Sequence, residues 1–274
     1  AYISNILINT KQVESIKVPS LKLLIDRDFI KVPSANIYLP NSKLTVKSEI
    51  TNYNNNDITF NAVISGFLNS KDIKGTTGTS SVYPLKVSFN GNKSVQNILA
   101  QVLLEKTAAL DEPSILNVVS KLEKNSLKIE DLSLISFTGK FSDDFKNNTK
   151  GIKKVILTGT VDNLKEPVLR NIRLFIPQQL NINICDTIAQ LKGDLFINGR
   201  ANKPDVVGQI RIQNLFNQTL QMGVSNCTLD FNKNIVVVNA PLVKVADSSM
   251  SVNATASTDF SKTIFVKNIN VKSK

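Results

Sequence analysis

The sequence predicts a mainly β protein, built as an elongated antiparallel meander that is rolled into a trough or groove. Three observations predict it. Apolar and polar residues alternate with a period of two, polar connections between these segments are short, and Ile, Val and Leu dominate the apolar residues. Because a parallel crossover needs a dozen or more residues, short turns imply antiparallel neighbours. The alternation alone fits a closed sandwich or barrel equally well, so whether the apolar side is open stays undecided.

Residues 1–93 predict a first β segment. In the range 41–52, Leu44, Val46 and Ile50 occupy one face of a strand, and mostly Lys and Thr occupy the other. A polar turn follows at 53–57, after which the alternation resumes, as expected for a hairpin. The dipeptide Asn90-Gly91 is typical of tight turns and predicts the end of a strand that starts near Leu85.

Residues 94–125 predict a helical insertion with two short amphipathic helices. Ser94 is a suitable N-cap for the first helix, and Pro113 marks the first turn of the second. Each helix would carry an apolar stripe at helical spacing. The first stripe is Ile98, Leu99, Val102 and Leu103, before Lys106, and the second is Ile115, Leu116, Val119 and Leu122. We expect them to cover part of a sheet, and contact with a membrane surface is the alternative.

Residues 126–274 predict a second β segment, continuous with the first in one elongated domain. Short strands separated by Asn, Gly, Asp, Ser or Pro extend to the last residues. A loose repeat runs from Leu191 to Ile212, where strands carry internal glycines on both sides of a turn with Pro204. Glycine at such positions indicates places where a sheet bends sharply.

The composition argues against catalysis. The chain contains no histidine, which excludes His-dependent triads, imidazole bases and the common zinc motifs. The Gly75–Gly78 loop lacks the lysine of a phosphate-binding loop, and Asp143-Asp144 and Asp26-Arg27-Asp28 fit solvated turns better than paired acid–base groups. We therefore expect a protein that is not an enzyme and that needs no cofactor or metal.

The net charge of +11 indicates a lysine-rich surface or attraction to anionic lipid headgroups. The lysines are scattered, and Lys153-Lys154 is the only adjacent pair. Because nucleic-acid binding usually combines clustered cations with stacking aromatics, this dispersal disfavours it, although salt-dependent DNA binding would revive it. Cys185 and Cys227 are too few for a zinc site, and their opposite strand phases disfavour a disulfide without excluding it.

The range Leu191–Ser257 resembles the AsmA/TamB superfamily of bacterial envelope proteins. The resemblance rests on the glycine-punctuated run Leu191–Ile212 and on the segments that follow it, Leu215–Met222, Cys227–Phe231 with Ile235–Val238, and Ser249–Ala256. Residues 41–73 and 114–132 have similar patterns, so the resemblance covers about two thirds of the chain with degenerate motifs. The family has no catalytic residues to carry over.

The resemblance implies a bent, trough-like sheet with an apolar interior that binds phospholipid acyl chains and lets lipid move between the inner and outer membranes. It further implies a periplasmic location, an inner-membrane anchor and contact with an outer-membrane protein. The candidate groove residues are Leu195, Ile197, Ile210, Ile212, Leu220, Met222, Val224, Leu229, Phe231, Met250 and Val252. The lipid species, the direction of transport and the oligomeric state stay open.

The first and last residues both have strand patterns, so we expect the chain to be a piece of a longer protein, with the anchor outside it. The alternative function is a surface or periplasmic β-rich scaffold or adhesion protein with a closed core. A lipid-binding groove predicts co-purifying acyl lipid, whereas the closed scaffold predicts a dry core and a protein or glycan ligand.

Overall fold

The computed structural model describes residues 1–8, 15–54, 57–72, 81–105, 112–138, 140–141, 145–184, 186–258 and 264–273. The protein is mainly β, and the residue pairings given for its strands are all antiparallel. The predicted meander of short antiparallel strands is therefore confirmed. Within the described residues, no helix has the length and apolar character required to cross a bilayer.

The chain divides into two compact units. Unit 1 comprises residues 1–105, 115–124 and 139–150, and unit 2 comprises residues 106–114, 125–138 and 151–274. The boundaries differ from the predicted segments because residues 139–150 lie between two strands of unit 2 in sequence but belong to unit 1.

Unit 1 contains an antiparallel ladder in which most sequence neighbours pair. Its pairings run from β1 through β2, β4, β5, β6 and β7 to β8, with the short β3 also against β4. The strands are β1 (Tyr2–Ile8), β2 (Ile16–Lys22), β3 (Leu24–Ile25), β4 (Phe29–Tyr38), β5 (Lys43–Thr51), β6 (Thr59–Asn69), β7 (Val82–Asn92), β8 (Val95–Leu104) and β9 (Ser114–Glu123).

Unit 2 is a second ladder, in which each strand pairs with the next along the chain. The strands are β10 (Ser126–Ser136), β11 (Lys153–Asp162), β12 (Val168–Ile184), β13 (Thr187–Arg200), β14 (Lys203–Asn217), β15 (Met222–Lys233), β16 (Ile235–Val245), β17 (Ser248–Thr258) and β18 (Ile264–Ser273).

The prediction of two helices in residues 94–125 is wrong. The segment forms β8 and β9, and in β8 Ile98 and Val102 lie opposite Phe89 and Leu85 of β7. Apolar residues occupy both alternating phases here, so a three-to-four spacing can be found in a strand as well as in a helix. Pairing with β7 supplies hydrogen-bond partners for backbone groups of β8, and this favours a strand over a helix. Lys106 and Asp111, which were part of this prediction, lie outside the described residues.

Two smaller features also differ from expectation. The strand that contains Asn90-Gly91 continues to Asn92, whose side-chain oxygen accepts hydrogen bonds of 2.9 Å from the backbone amides of Ser94 and Val95. The turn therefore begins at Asn92, two residues later than predicted, and the side chain of Asn92 closes it. In the described part of the chain, the helical segments are a 3₁₀ turn at Ser70–Asp72 and α1 at Phe145–Asn148.

Candidate functional site

The candidate site is the apolar face of the unit 2 ladder. Residues directly opposite each other in an antiparallel pair project from the same face of the sheet. One row of opposite residues crosses seven strands, from β12 to β18, and contains no polar side chain. It consists of Ile176, Gly193, Ile210, Leu229, Val238, Ala254 and Ile269. The neighbouring row is also apolar and consists of Leu174, Leu195, Gly208, Phe231, Val236, Ala256 and Val266.

The opposite surface, the polar face of unit 2, is made by the alternate residues of the same strands. A typical row there runs Phe175, Asp194, Gln209, Asp230, Val237, Thr255 and Asn268. Arg173 donates two hydrogen bonds to Asp194, of 2.9 Å from Nε and 2.7 Å from Nη2, and this pairing raises the pKa of Arg173. The two faces therefore have different chemistry.

Side-chain exposure differs sharply between the two faces in β13 and β14, whereas Val266 and Ile269 of the apolar rows in β18 are both 58% exposed. Leu195 on the apolar face is 7% exposed, whereas its neighbour Phe196 on the polar face is 45% exposed. In β14, Val206 is 5% exposed and Val207 is 47% exposed. Since adjacent residues of one strand occupy opposite faces, the apolar side of these two strands is the more enclosed one.

The apolar face of unit 2 is most enclosed around one small cluster. The tightest region consists of Cys227, Ala240 and Val243, with Ile212, Met222, Val224, Leu229, Val238, Met250 and Val252 packed around them and only partly buried. These partly buried side chains leave apolar surface that a guest molecule could cover.

Bulges and glycines interrupt the regular strands of unit 2. The register shifts in β12 between Ile176 and Leu180 and in β16 between Ala240 and Val243. Such extra residues bend a strand and increase its twist. Gly208 in β14 has a φ of +137°, and a Cβ there would overlap the carbonyl oxygen of Asp194. Gly208 therefore marks a close approach of β13 and β14, and the sharp bend that the sequence predicts at such glycines stays a prediction.

Most of the predicted groove residues lie together on the apolar face. By register and packing they are Leu195, Ile197, Ile210, Ile212, Met222, Val224, Leu229, Phe231, Met250 and Val252. Leu220 does not lie there, because it falls in the turn between β14 and β15, where it is 63% exposed. The sequence pattern assigned Leu220 to a strand two residues before β15 begins.

Sequence reasoning missed several members of this face. They are Leu174, Ile176, Leu191, Val206, Val236, Val238, Ala240 and Val243. The period-two pattern was available for most of them. However, the bulge in β16 changes the alternation between Ala240 and Val243. Strict alternation continued past the bulge therefore assigns the following residues to the wrong face.

Unit 1 has an apolar face of the same kind. Successive strands contribute Ile37, Leu44, Gly66, Leu85 and Val102 to one row and Ala35, Val46, Ile64, Val87 and Ala100 to the next. The opposite face carries the Lys31–Glu49 ion pair of 3.1 Å and the Asn97–Asn90 hydrogen bond of 3.0 Å. The predicted assignment of Leu44, Val46 and Ile50 to a single face agrees with this register.

A buried polar cluster attaches α1 to the polar face of unit 1. The Gln101 side chain donates 3.0 Å hydrogen bonds to Asn117 Oδ1 and to the carbonyl of Phe145, and it accepts one of 2.9 Å from Asn148 Nδ2. Gln101 is fully buried, and the Lys86 ammonium lies 4.5 Å from the centre of the Phe145 ring. The amides satisfy one another, which is the requirement for burying them, so the cluster is structural.

Asp72 forms a second buried polar cluster in unit 1. Its carboxylate accepts hydrogen bonds from the backbone and side chain of Asn41 and from the Ser42 hydroxyl. These donors satisfy the carboxylate and tie the 3₁₀ turn to the β4–β5 connection. Within the described residues, no group of acidic or cysteine side chains is arranged to hold a metal ion.

Cys227 is a free cysteine at the centre of the apolar face of unit 2. It is 5% exposed, and burial raises the pKa of its thiol, so it behaves as a small apolar residue. Cys185, the Gly75–Gly78 loop and Asp143-Asp144 lie outside the described residues.

Comparison of the chain with protein-family models, with curated proteins and with solved structures found no match.

Proposed function

We propose that this chain is a segment of an AsmA/TamB-like envelope protein whose apolar faces bind phospholipid acyl chains and provide a path for lipid between the inner and outer membranes. The observation that carries the proposal is the continuous apolar face of unit 2, several of whose side chains are only partly buried. A trough-like shape that leaves this face open to a ligand is part of the proposal. A protein of this kind works in the periplasm, held by an anchor outside this chain and in contact with an outer-membrane protein.

The energetics favour such a guest. Transfer of an acyl chain from water to an apolar surface is worth about 0.8 kcal/mol per buried methylene. Strands are spaced about 4.8 Å apart, so the apolar rows from β12 to β18 extend roughly 29 Å along the sheet. Ile, Leu, Val, Met and Phe offer no directional contacts to these chains, so a lipid would be held by burial and would remain free to slide.

The decisive experiment places a photo-crosslinking phenylalanine analogue at Phe231 or at Phe196. Both positions already carry phenylalanine, so neither replacement alters the size of the site greatly. Phe231 lies on the apolar face, and Phe196 lies on the polar face with higher exposure. We expect phospholipid adducts, detected by mass spectrometry after expression in a bacterial envelope, at position 231 and not at position 196.

Adducts of equal yield at both positions would show that lipid contacts the protein without preference and would contradict the proposal. A purified protein that is free of acyl lipid in native mass spectra and takes up no fluorescent fatty acid would also contradict it. That second result is the one expected of the alternative, a β-rich scaffold or adhesion protein that binds a protein or glycan.

A further inference from the structure

We propose that the polar face of unit 2 binds a phosphate group at a cleft between Lys192 and Arg211. The cleft has a volume of about 460 Å³, and an adjoining one of about 320 Å³ shares the same two cations. The larger cleft lies within the size range of small-molecule sites. Lys192 and Arg211 belong to the polar face, and the lining of the larger cleft also includes Ile212 and Cys227 of the apolar face. Phosphate binding by the two cations does not require lipid on the apolar face.

The two cations are an unfavourable pair by themselves. Lys192 in β13 and Arg211 in β14 are directly opposite residues, and both are exposed. Like charges in such a position repel and destabilise the strand pair. Among the described residues, neither forms an ion pair with a carboxylate. An anion bound between them would remove the repulsion.

The nearest carboxylates on this face are already engaged. Asp194 receives two hydrogen bonds from Arg173, and Asp230 receives one of 2.6 Å from Gln209 Nε2. Gln209 Oε1 in turn accepts a 2.5 Å hydrogen bond from Arg211 Nε. This contact orients the guanidinium of Arg211 and leaves its terminal NH₂ groups available to a ligand.

Bulges give the cleft its neutral donors. Gln179 lies in the bulge of β12, and Gln213 lies where β14 shifts register against β13. Asn226 has a φ of +56° in β15, two residues before Thr228. These side chains line the cleft with the two cations. The Gln179 amide also donates to Gln190 Oε1 and the Thr228 hydroxyl to Asp230 Oδ2, and the remaining amide groups suit the hydroxyls of a phosphorylated polyol.

Phosphate matches the charges better than a carboxylate does. A phosphate monoester carries nearly two negative charges near neutral pH, enough to neutralise both cations. The arginine fork can bind two of its oxygens while the lysine ammonium binds a third. The phosphate could belong to a free metabolite or to a lipid headgroup, because both present the same group.

The test uses calorimetric titration of the purified chain with inorganic phosphate and with glycerol 3-phosphate, at low and constant ionic strength. Lys192→Met and Arg211→Met are compared with Lys244→Met. Lys244 is an exposed cation on β16 with the same charge and lies away from the cleft. We expect saturable binding, weakened about tenfold or more by each cleft substitution and unchanged in the control.

Thermal unfolding gives a second readout. Phosphate should raise the midpoint of the wild-type protein and of Lys244→Met, but not that of the Lys192→Met/Arg211→Met double variant. Without phosphate, the double variant should unfold no earlier than the wild type, because the repulsion is gone. An absence of saturable binding at millimolar phosphate, or an equal loss in the Lys244→Met control, would overturn the proposal.

Sedimentation with vesicles distinguishes the two sources of phosphate. Binding to phosphatidic acid vesicles that is lost in the double variant would identify a lipid headgroup as the source. Calorimetric binding of glycerol 3-phosphate with vesicle binding that is indifferent to the double substitution would identify a soluble phosphorylated ligand. Phosphatidylcholine vesicles serve as the uncharged reference.

Discussion

At the scale of single residues, the fold depends on a few positions that accept only one type of residue. Gly208 is the clearest example, because its φ of +137° is unfavourable for other residues and a Cβ would overlap the backbone of β13. The sequence indicates such a position by a glycine inside an apolar strand. The particular atom that excludes a side chain, the carbonyl oxygen of Asp194, follows only from the pairing of β13 with β14.

We predict that Gly208→Ala lowers the free energy of unfolding by about 2–4 kcal/mol, because backbone strain and overlap add. Gly223→Ala is the matched control in the next strand, since the nearest atom to its Cβ would be 3.9 Å away. That control should change stability by about 0.5 kcal/mol or less. Chemical denaturation measures both, and equal stabilities of the two variants would refute the packing described for Gly208.

At the scale of secondary-structure elements, α1 shows how a short segment is fixed by a few buried amides. A four-residue helix has almost no intrinsic stability, so its position depends on tertiary contacts. Asn148 supplies one of these contacts by donating a hydrogen bond of 2.9 Å to Gln101 Oε1. Nothing in the polar sequence of residues 146–151 distinguishes Asn148 from its neighbours.

We predict that Asn148→Ala destabilises unit 1 by roughly 1–3 kcal/mol, because it removes a partner of a buried amide. Asn147→Ala is the matched control, since Asn147 is the exposed preceding residue. Hydrogen exchange of the β8 amides should accelerate in the first variant and not in the second. Unchanged exchange in Asn148→Ala would show that the Gln101 cluster does not hold this region.

The strands β8 and β9 illustrate the limit of periodicity at this scale. Most strands of unit 2 are predictable, because alternation, turn residues and spacing all agree. In residues 94–125 the apolar residues fill both faces, so helical and extended patterns fit equally well. Only the backbone pairing of β8 with β7 resolves the ambiguity.

At the scale of the whole molecule, function depends on whether apolar surface remains available for a ligand. The two units each separate an apolar face from a polar face. An acyl ligand that binds the folded chain but not the unfolded chain must stabilise it by mass action.

We predict that oleate raises the midpoint of thermal unfolding, with a gain of about 2.7 kcal/mol in the free energy of unfolding at one hundred times the dissociation constant. Val238→Glu, on the apolar face, should abolish the oleate-induced shift measured against the midpoint of that variant alone. Val237→Glu, on the polar face, should retain it. If both variants respond to oleate as the wild type does, the apolar face of unit 2 is not the ligand site.

The sequence by itself determined the antiparallel β class, most strands of unit 2 and most members of the apolar face, because alternation and turn chemistry are local properties of the chain. Tertiary structure alone decided that β8 and β9 are strands and that Leu220 lies outside the apolar face. It also decided that the apolar face continues past the bulge between Ala240 and Val243. It also set Lys192 opposite Arg211. These outcomes depend on the register between strands, which fixes side-chain neighbours and is not encoded in the alternation of any one strand.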